Sequence, residues 1–514
     1  MTVYILYFLF LSSWILIKSF GESSFLGDQI DQIQSADALW SGRLISFYGP
    51  YLSTTNPTVY PFGPATYLII SLLKILHLPI PYFQLSFGVL NVIIALLLLN
   101  ELSRIDVISG KIFSLLIPFS SVYIFSLSMF WNNVLIFSFS SLFFLFILKF
   151  YQNPRGIHVL WIIQFFILGL HLHLIGIILL PVILFLFLRG QKEWNSGLAL
   201  PSTWNRILVW ICLFFSIAPY LIAELIRKFK NTKNLFSNSK LRLEENLDIS
   251  RLKILVLDFL IPLDLDFTLK VFIATCFLLI LFFIIIYKIK NYFRNRRNPQ
   301  AELIRKRSIS NLFWFVSLIS FISLLSELVF FILTRQPIRS IHYQAYLTPI
   351  SLIWVCVFLS FLIQKGKLMN IKLISKYSEF FLLAESLFQK KILYYLFLII
   401  MLFYTKSYEN KYKSNWAYDT IIKSLDDICE ERPNVSTFEV EAFRSPHSEF
   451  KPVLQYLIEA RLTRCSFDPN SKLVLVPYTF GNSEELLSRY PIEKKLEFIR
   501  DYPPGIGMYF QTNR

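Results

Sequence analysis

The feature that most constrains this chain is a series of apolar segments close to the length that crosses a lipid bilayer. A transmembrane helix needs about 20 consecutive apolar residues. We predict eleven crossings, at Thr2 to Phe20, Tyr82 to Leu99, Ile112 to Ser128, Val134 to Phe150, Ile157 to Leu170, Leu174 to Leu188, Ile207 to Ala223, Leu269 to Tyr287, Asn311 to Leu333, Tyr343 to Ile363 and Ile392 to Tyr404. Because 55% of the 514 residues are hydrophobic and 52 are phenylalanine, the sequence predicts an all-α polytopic membrane protein.

The basic residues, which give the chain a net charge of +16, are concentrated in short connections such as Lys288 to Arg307 and Lys365 to Lys376. Basic connections between membrane spans lie on the cytoplasmic side, so we place these connections and the N-terminus inside and the tail outside. This orientation allows one crossing between residue 28 and Arg104. The apolar segment Gly63 to Leu78 is therefore predicted to be an interfacial helix. Membrane topology accounts for the charge, so we expect no nucleic-acid partner.

Two carboxylates follow the first apolar segment, in an external loop that covers residues 21–81. Asp28 and Asp31 are three residues apart, so a helix places both on one face. They are either solvated acids on a capped helix beside the membrane or catalytic groups. We name both as candidate catalytic residues, and we expect partial desolvation to raise the pKa of Asp28.

The same loop carries a motif that resembles a known family. Asp28 is followed by Ser41-Gly42 and then by the Pro-rich aromatic stretch Tyr60-Pro61-Phe62-Gly63-Pro64. This order resembles the first external loop of the GT-C membrane glycosyltransferases, especially the protein O-mannosyltransferase and aminoarabinose-transferase branch. The family's usual Asp-Glu pair is Asp28-Gln29 here. The resemblance implies a GT-C-like helical bundle with external juxtamembrane helices, and it makes Tyr60 a substrate-binding candidate.

A second motif lies at the end of the Ile207 to Ala223 segment. Pro219 and Glu224 are followed by Arg227 and Asn231-Thr232, which resembles the Pro, Glu-Leu-Arg and Asn-Thr pattern of bacterial GT-C members with the arginine displaced. His171 and His173 lie at a break between apolar segments. Two histidines at i and i+2 on a helix point apart, which favours polar packing or substrate contact over metal binding. We name His171, His173 and Glu224 as substrate-binding candidates.

Two arginines occur where the predicted topology places an external connection. Arg335 and Arg339, followed by His342 and Tyr343, lie between two apolar segments. Their guanidinium groups either extend to lipid headgroups as interfacial anchors or bind a lipid phosphate through paired hydrogen bonds. All four residues are substrate-binding candidates.

The tail differs in composition from the rest of the chain, which suggests a membrane domain at residues 1–405 and an external domain at 406–514. Prolines divide the tail into short elements, with a strand predicted at Lys472 to Pro477 and a helix at Phe450 to Ala460. We therefore expect a small α+β domain. Cys429 and Cys465 are its only cysteines, and we expect a disulfide between them because small external domains gain from such a bond.

Together these features predict an integral-membrane glycosyltransferase. Sequence motifs for nucleotide binding are absent, which favours a donor already activated at the membrane. The resemblance implies a polyprenyl-phosphate sugar as donor, a glycan, lipid or protein as acceptor, membrane lipids as surroundings and inversion at the anomeric carbon. No cofactor is certain, and a divalent cation stays open. We expect the bacterial plasma (inner) membrane, with the active site on the periplasmic side. The alternatives are a lipid-linked glycan ligase or polymerase, and a transporter or flippase.

Overall fold

The computed structural model describes residues 1–20, 27–40, 47–49, 60–189, 203–238, 249–295, 309–334, 344–365, 417–431, 437–441, 451–460, 462–477, 496–503 and 506–511. The described part of the chain up to residue 365 is mainly helical. Its helices are α1 (Thr2–Ser19), α2 (Gly27–Trp40), α3 (Ala65–Ile75), α4 (Ile80–Ile105), α5 (Val107–Leu116), α6 (Ser121–Ser128), α7 (Asn132–Gln152), α8 (Gly156–Leu172), α9 (Leu180–Arg189), α10 (Thr203–Ile226), α11 (Lys230–Asn238), α12 (Ile249–Leu260), α13 (Phe267–Asn295), α14 (Ile309–Thr334) and α15 (Thr348–Lys365).

Five of the described helices, α1, α4, α7, α13 and α14, are long and apolar enough to cross a membrane. Helices α5 and α6 form a sixth candidate, which bends by 61° around the short 3₁₀ segment Ile117–Phe119. Pro118 lies in this segment, and its missing backbone N–H group favours a break in the helix. The chain is thus an integral membrane protein.

The remaining predicted spans are shorter helices or lie outside the described residues. Helices α8, α9, α10 and α15 cover four of the predicted segments. The segment Ile392 to Tyr404 lies outside the described residues, as do Arg296 to Arg307 and Lys367 to Lys376. The number of eleven crossings therefore stays a prediction.

The helix ends identify two ends of the bundle. At one end, the Ser103 hydroxyl lies 3.7 Å from the sulfur of Met1, and Lys111 lies over the ring of Tyr4. At the opposite end, which we call the distal end, the Gln84 amide donates to the backbone oxygen of Ser19. Lys111 therefore lies at the same end as Met1, and the orientation in the membrane stays a prediction.

Helices α2 and α3 lie at the distal end. The 11 residues of α3 rise about 16 Å, which is too short for a hydrocarbon layer of about 30 Å. This length fits the predicted interfacial helix. Lys74 forms an ion pair with Asp37, and Ser71 donates to the backbone oxygen of Ala36. These bonds join α3 to α2.

The tail folds as helices and a mixed sheet, which confirms the predicted α+β character. Its elements are α16 (Tyr418–Glu431), β1 (Thr437–Val440), α17 (Lys451–Glu459), β2 (Ser466–Phe467), β3 (Leu473–Pro477), β4 (Leu496–Tyr502) and β5 (Ile506–Gln511).

The strand order of the tail sheet is β2-β1-β3-β5-β4, with β1 parallel to β2 and β3, and β5 antiparallel to β3 and β4. The expected disulfide between Cys429 and Cys465 is present. Helix α17 packs against α2, so the tail lies at the distal end of the bundle.

Candidate active site

Helix α2 carries the two predicted catalytic carboxylates. The helix begins at Gly27, which places Asp28 within the first turn rather than at a capping position. Asp28 is exposed and Asp31 is half-buried. Partial desolvation by the surrounding protein raises the pKa of Asp28. Desolvation and then the nearby Asp28 carboxylate raise the pKa of Asp31. The pair lies outside the spans, with pKa values shifted in the direction that suits a general base.

Two glutamines fasten α2 to the start of α7 and to the residue two positions before it. The Gln29 amide donates to the backbone oxygen of Phe130 over 2.8 Å. The Gln32 amide donates to Asn132 Oδ1 over 3.0 Å, and its oxygen accepts from the Asn132 N–H group over 3.1 Å. Gln29, Gln32 and Asn132 are all buried. The glutamine that stands where the family has a second acid therefore anchors α2.

Asn132 also connects this contact to the two predicted histidines. Its amide nitrogen donates to the backbone oxygen of Leu172 over 3.0 Å. Leu172 lies between His171 and His173 and is the last residue of α8. A carbonyl at a helix C-terminus has no N–H donor within the helix. The Asn132 amide supplies a donor here.

The two histidines have different partners. His171 is buried, and its Nε2 lies 2.7 Å from the backbone oxygen of Ser216 in α10. A carbonyl only accepts, so Nε2 carries the proton, and the buried Nδ1 has no hydrogen-bond partner among the residues that the structure describes. His173 Nδ1 accepts from the Ile175 N–H group over 3.2 Å. The structure thus gives each ring its own packing role, consistent with the expected divergence of the two side chains.

Two glycines let the first external loop approach this break. A Cβ at Gly49 would lie 2.3 Å from the His171 backbone oxygen, and one at Gly63 would lie 2.5 to 2.6 Å from the His171 ring. The Phe62 N–H group donates to the Leu170 oxygen, and the Gly49 N–H group donates to the Pro61 oxygen. Gly49 and Gly63 are therefore both held beside α8.

Glu224, near the end of α10, is fully buried and accepts four hydrogen bonds from the chain itself. Oε1 accepts from the Tyr48 hydroxyl over 2.7 Å and from the Asn231 N–H group over 3.3 Å. Oε2 accepts from the Thr232 N–H group over 2.9 Å and from its hydroxyl over 2.5 Å. These bonds favour a structural role for Glu224, and its role in substrate binding stays a prediction.

The turn between α10 and α11 makes this arrangement possible. Lys228 and Phe229 have φ values of 53° and 58°, a left-handed conformation that non-glycine residues adopt only rarely. The turn directs the first N–H groups of α11 back toward Glu224. A negative carboxylate near a helix N-terminus is electrostatically favourable.

Tyr60 is joined to the same cluster. Its backbone N–H group donates to Asn231 Oδ1 over 2.8 Å, and its backbone oxygen accepts from Asn231 Nδ2 over 3.0 Å. The Tyr60 ring stacks on Tyr48, with 5.4 Å between centroids. The Arg227 guanidinium also contacts the Tyr48 ring, with its Cζ 5.4 Å from the ring centroid. Burial, followed by the hydrogen bond to Glu224, raises the pKa of Tyr48.

The predicted substrate-binding residues Arg335, Arg339, His342 and Tyr343 lie outside the described residues. The chain resumes at Gln344, whose amide donates to Asp258 Oδ2 over 2.6 Å. Two residues later, the Tyr346 hydroxyl lies 2.7 Å from the Gly169 oxygen and 2.9 Å from the His173 oxygen. Tyr346 therefore lies beside the histidines at the distal end.

A further buried acid, Glu327, lies on α14 near Asp258. Glu327 is 2% exposed, and within the described ranges its Oε1 has no hydrogen-bond partner. The nearby Asp258 is bound instead by Lys270 Nζ over 2.5 Å. Sequence reasoning did not identify Glu327, because one glutamate within a long apolar segment gives no indication of its neighbours.

The described structure brings most of the predicted residues into connected groups. One group joins α2 to the histidine break, and the other joins Tyr60 to Glu224. The hydrogen bonds within these groups are made by residues that were not named as site residues from the sequence: Gln29, Gln32, Tyr48, Asn132 and Asn231. Within the part of the chain that the structure describes, no three His, Cys, Asp or Glu side chains form a metal-binding cluster.

Among known proteins, the chain is similar to solved structures but not to family models or curated sequences. No protein-family model matches the sequence, and no curated protein matches it. The crystal structure of ArnT from Cupriavidus metallidurans bound to undecaprenyl phosphate matches with a TM-score of 0.55 and 10% identity, over 98% of this chain and 97% of that chain. The apo structure of the same protein matches with a TM-score of 0.54 and 10% identity, over 99% and 98%. This chain therefore has the fold of ArnT from Cupriavidus metallidurans.

Proposed function

We propose that this protein is an integral-membrane glycosyltransferase that moves a sugar from a polyprenyl-phosphate donor to an envelope glycan, lipid or protein acceptor. The observation that carries this proposal is the whole-length fold match to ArnT, which binds undecaprenyl phosphate in one of the matching structures. The protein would act in the bacterial plasma membrane, with its active site on the external face.

The position of the acids supports this proposal. Asp28 and Asp31 lie on a helix at the distal end, opposite Met1 and the basic residues around it. Under the positive-inside rule, that end faces the outside. A polyprenyl-phosphate donor keeps its lipid tail in the bilayer and brings an activated sugar to this surface, so no nucleotide site is needed there.

The proposed reaction uses Asp28 as the general base. The acceptor hydroxyl oxygen attacks the anomeric carbon, its proton passes to the Asp28 carboxylate, and the bond from that carbon to the phosphate oxygen breaks. Attack from the face opposite the phosphate inverts the anomeric configuration. Arg335 and Arg339 would hold the departing polyprenyl phosphate through charge-assisted hydrogen bonds.

A deletion strain tests the proposal most directly. We expect its envelope glycans, analysed by mass spectrometry, to lack one sugar that the wild-type gene restores. General-base assistance contributes about 10² to 10⁴ in rate, so Asp28→Asn should restore little of that sugar. Asp31→Asn is the matched control, one turn away on the same face, and should restore more.

The same strain separates the competing functions. Loss of a ligase or polymerase would change the attachment or length of whole glycan chains. Loss of a flippase would leave lipid-linked sugar on the cytoplasmic face. If Asp28→Asn and Asp31→Asn both restore the wild-type glycan, Asp28 is not the base. A deletion strain with unchanged glycans, lipids and proteins would overturn the transferase proposal itself.

A further inference from the structure

Helix α2 carries the proposed base, yet its own length does little to hold it in place. Isolated helices of its 14 residues are marginally stable in water. Its buried apolar residues, Ile30, Ile33 and Ala36, pack against the bundle. Hydrophobic burial is non-directional, so these contacts leave the rotation and register of α2 weakly specified.

The paired hydrogen bonds between Gln32 and Asn132 add direction, together with the Gln29 bond to the Phe130 oxygen and the bonds from α3. Each residue donates once and accepts once, over 3.0 and 3.1 Å. Both residues are buried, and a buried amide that loses its partner is costly. A rotation or a slip of α2 by one residue would leave both residues unsatisfied, so the pair specifies a single placement.

This placement acts on Asp28 through the helix. Gln32 follows Asp28 by four residues, which puts the two side chains on neighbouring lines of the same helix. Gln32 faces the bundle and Asp28 lies at the exposed edge beside it. Asn132 continues the connection to the Leu172 oxygen, between the two histidines. Helix α2, which carries Asp28, is therefore tied to the histidine break through a short series of buried bonds that begins at Gln32.

We propose that Gln32 and Asn132 form a positioning pair that holds Asp28 in its working location relative to the His171–His173 break. The inference rests on the proposed function, because it assumes that Asp28 is the base. Gln32 touches neither substrate nor reacting atoms, and it acts through the position of α2.

The test compares Gln32→Met with Gln34→Met in the full-length protein in lipid nanodiscs. Both variants replace an amide by an apolar side chain of similar length on the same helix, and Gln34 is exposed. Misplacement of a catalytic group by about 1 Å costs roughly 100-fold in rate. We expect Gln32→Met to slow glycan formation by roughly 10- to 100-fold, and Gln34→Met to match wild type.

Two further measurements distinguish positioning from general damage. Hydrogen exchange of residues 27–40 should accelerate in Gln32→Met and stay unchanged in Gln34→Met, because local opening exposes the amides. Binding of undecaprenyl phosphate to the purified protein should be the same in both variants. A loss of lipid binding that parallels the loss of rate would instead indicate a disrupted bundle and would overturn the positioning role.

A double-mutant cycle completes the test. Asn132→Leu removes the side-chain bond but keeps the backbone bond to Gln32, so it should reproduce part of the effect of Gln32→Met. The double variant should be little slower than Gln32→Met alone, since partners in one network are not additive. If the rate losses of the two single variants multiply in the double variant, the two residues do not act as a pair. Hydrogen exchange of residues 27–40 in Gln32→Met that equals exchange in Gln34→Met would also contradict the positioning pair. If the deletion strain lacks no sugar, the proposed function fails, while the exchange measurement still decides whether this pair holds α2.

Discussion

The Tyr48 hydroxyl donates a hydrogen bond to Glu224 Oε1 over 2.7 Å, although 176 residues separate the two in the chain. This bond joins the first external loop to the end of α10. Asn231 strengthens the connection by binding both the backbone of Tyr60 and the Glu224 carboxylate. The two sequence motifs that resemble GT-C glycosyltransferases therefore meet in one buried polar cluster.

Replacing Glu224 should destabilise the protein more than replacing Tyr48. Glu224→Gln places an amide nitrogen against donors that now bind a carboxylate, and an unsatisfied buried group costs about 1 to 3 kcal/mol. Tyr48→Phe removes one donor and leaves the other three bonds to Glu224 intact, so we expect a cost of roughly 1 kcal/mol. Thermal unfolding of the detergent-solubilised variants measures the difference. Equal unfolding temperatures for wild type and Glu224→Gln would contradict the structural role.

Gly49 should tolerate alanine much less well than Gly169. A Cβ at Gly49 would lie 2.3 Å from a backbone oxygen, whereas one at Gly169 would make an ordinary contact of 3.4 Å with Tyr346. Overpacking of this kind costs about 1 to 3 kcal/mol. We therefore expect Gly49→Ala to lower the unfolding temperature and Gly169→Ala to leave it near that of wild type. A stable Gly49→Ala variant would show that the loop can move away from His171.

The helices were predictable from the sequence because apolar length alone indicates a membrane span. The ten predicted spans within the described residues each coincide with a helix or a helix pair. The interfacial helix followed from counting the crossings that the basic connections allow. Both arguments use properties of single segments, which do not depend on how the segments pack.

The candidate site was only partly predictable, because its contacts cross large sequence distances. Glu224, Asn231 and Thr232 lie within one short motif, so their grouping was visible. Their partner Tyr48 and the pair Gln32 and Asn132, which are 100 residues apart, were not. One signal was available: Gln29 and Gln32 stand beside Ile30 and Ile33, so amides occupy the apolar face of a short helix.

Arg335 and Arg339 should affect the donor more than the acceptor. If they bind the donor phosphate, alanine at either position should raise the donor KM while the acceptor KM stays near wild type. Lysine should substitute poorly, because it lacks the planar group that binds phosphate through two parallel hydrogen bonds. Steady-state kinetics with varied donor measures the effect. Unchanged donor KM in both alanine variants would make these arginines interfacial anchors.

The pH dependence of the reaction should reveal the environment of Asp28. Desolvation raises the pKa of this carboxyl group above the usual value of about 3.9 for aspartate. A general base must be ionised, so activity should be full above the raised pKa and should fall as the pH drops through it. The acidic limb of the kcat profile should therefore lie at higher pH than for an ordinary aspartate. Asp31→Asn should move this limb only toward lower pH, because the two carboxylates repel each other and removing one charge relieves part of the pKa increase of the other. A limb that persists unchanged in the residual activity of Asp28→Asn would assign the base to a group other than Asp28.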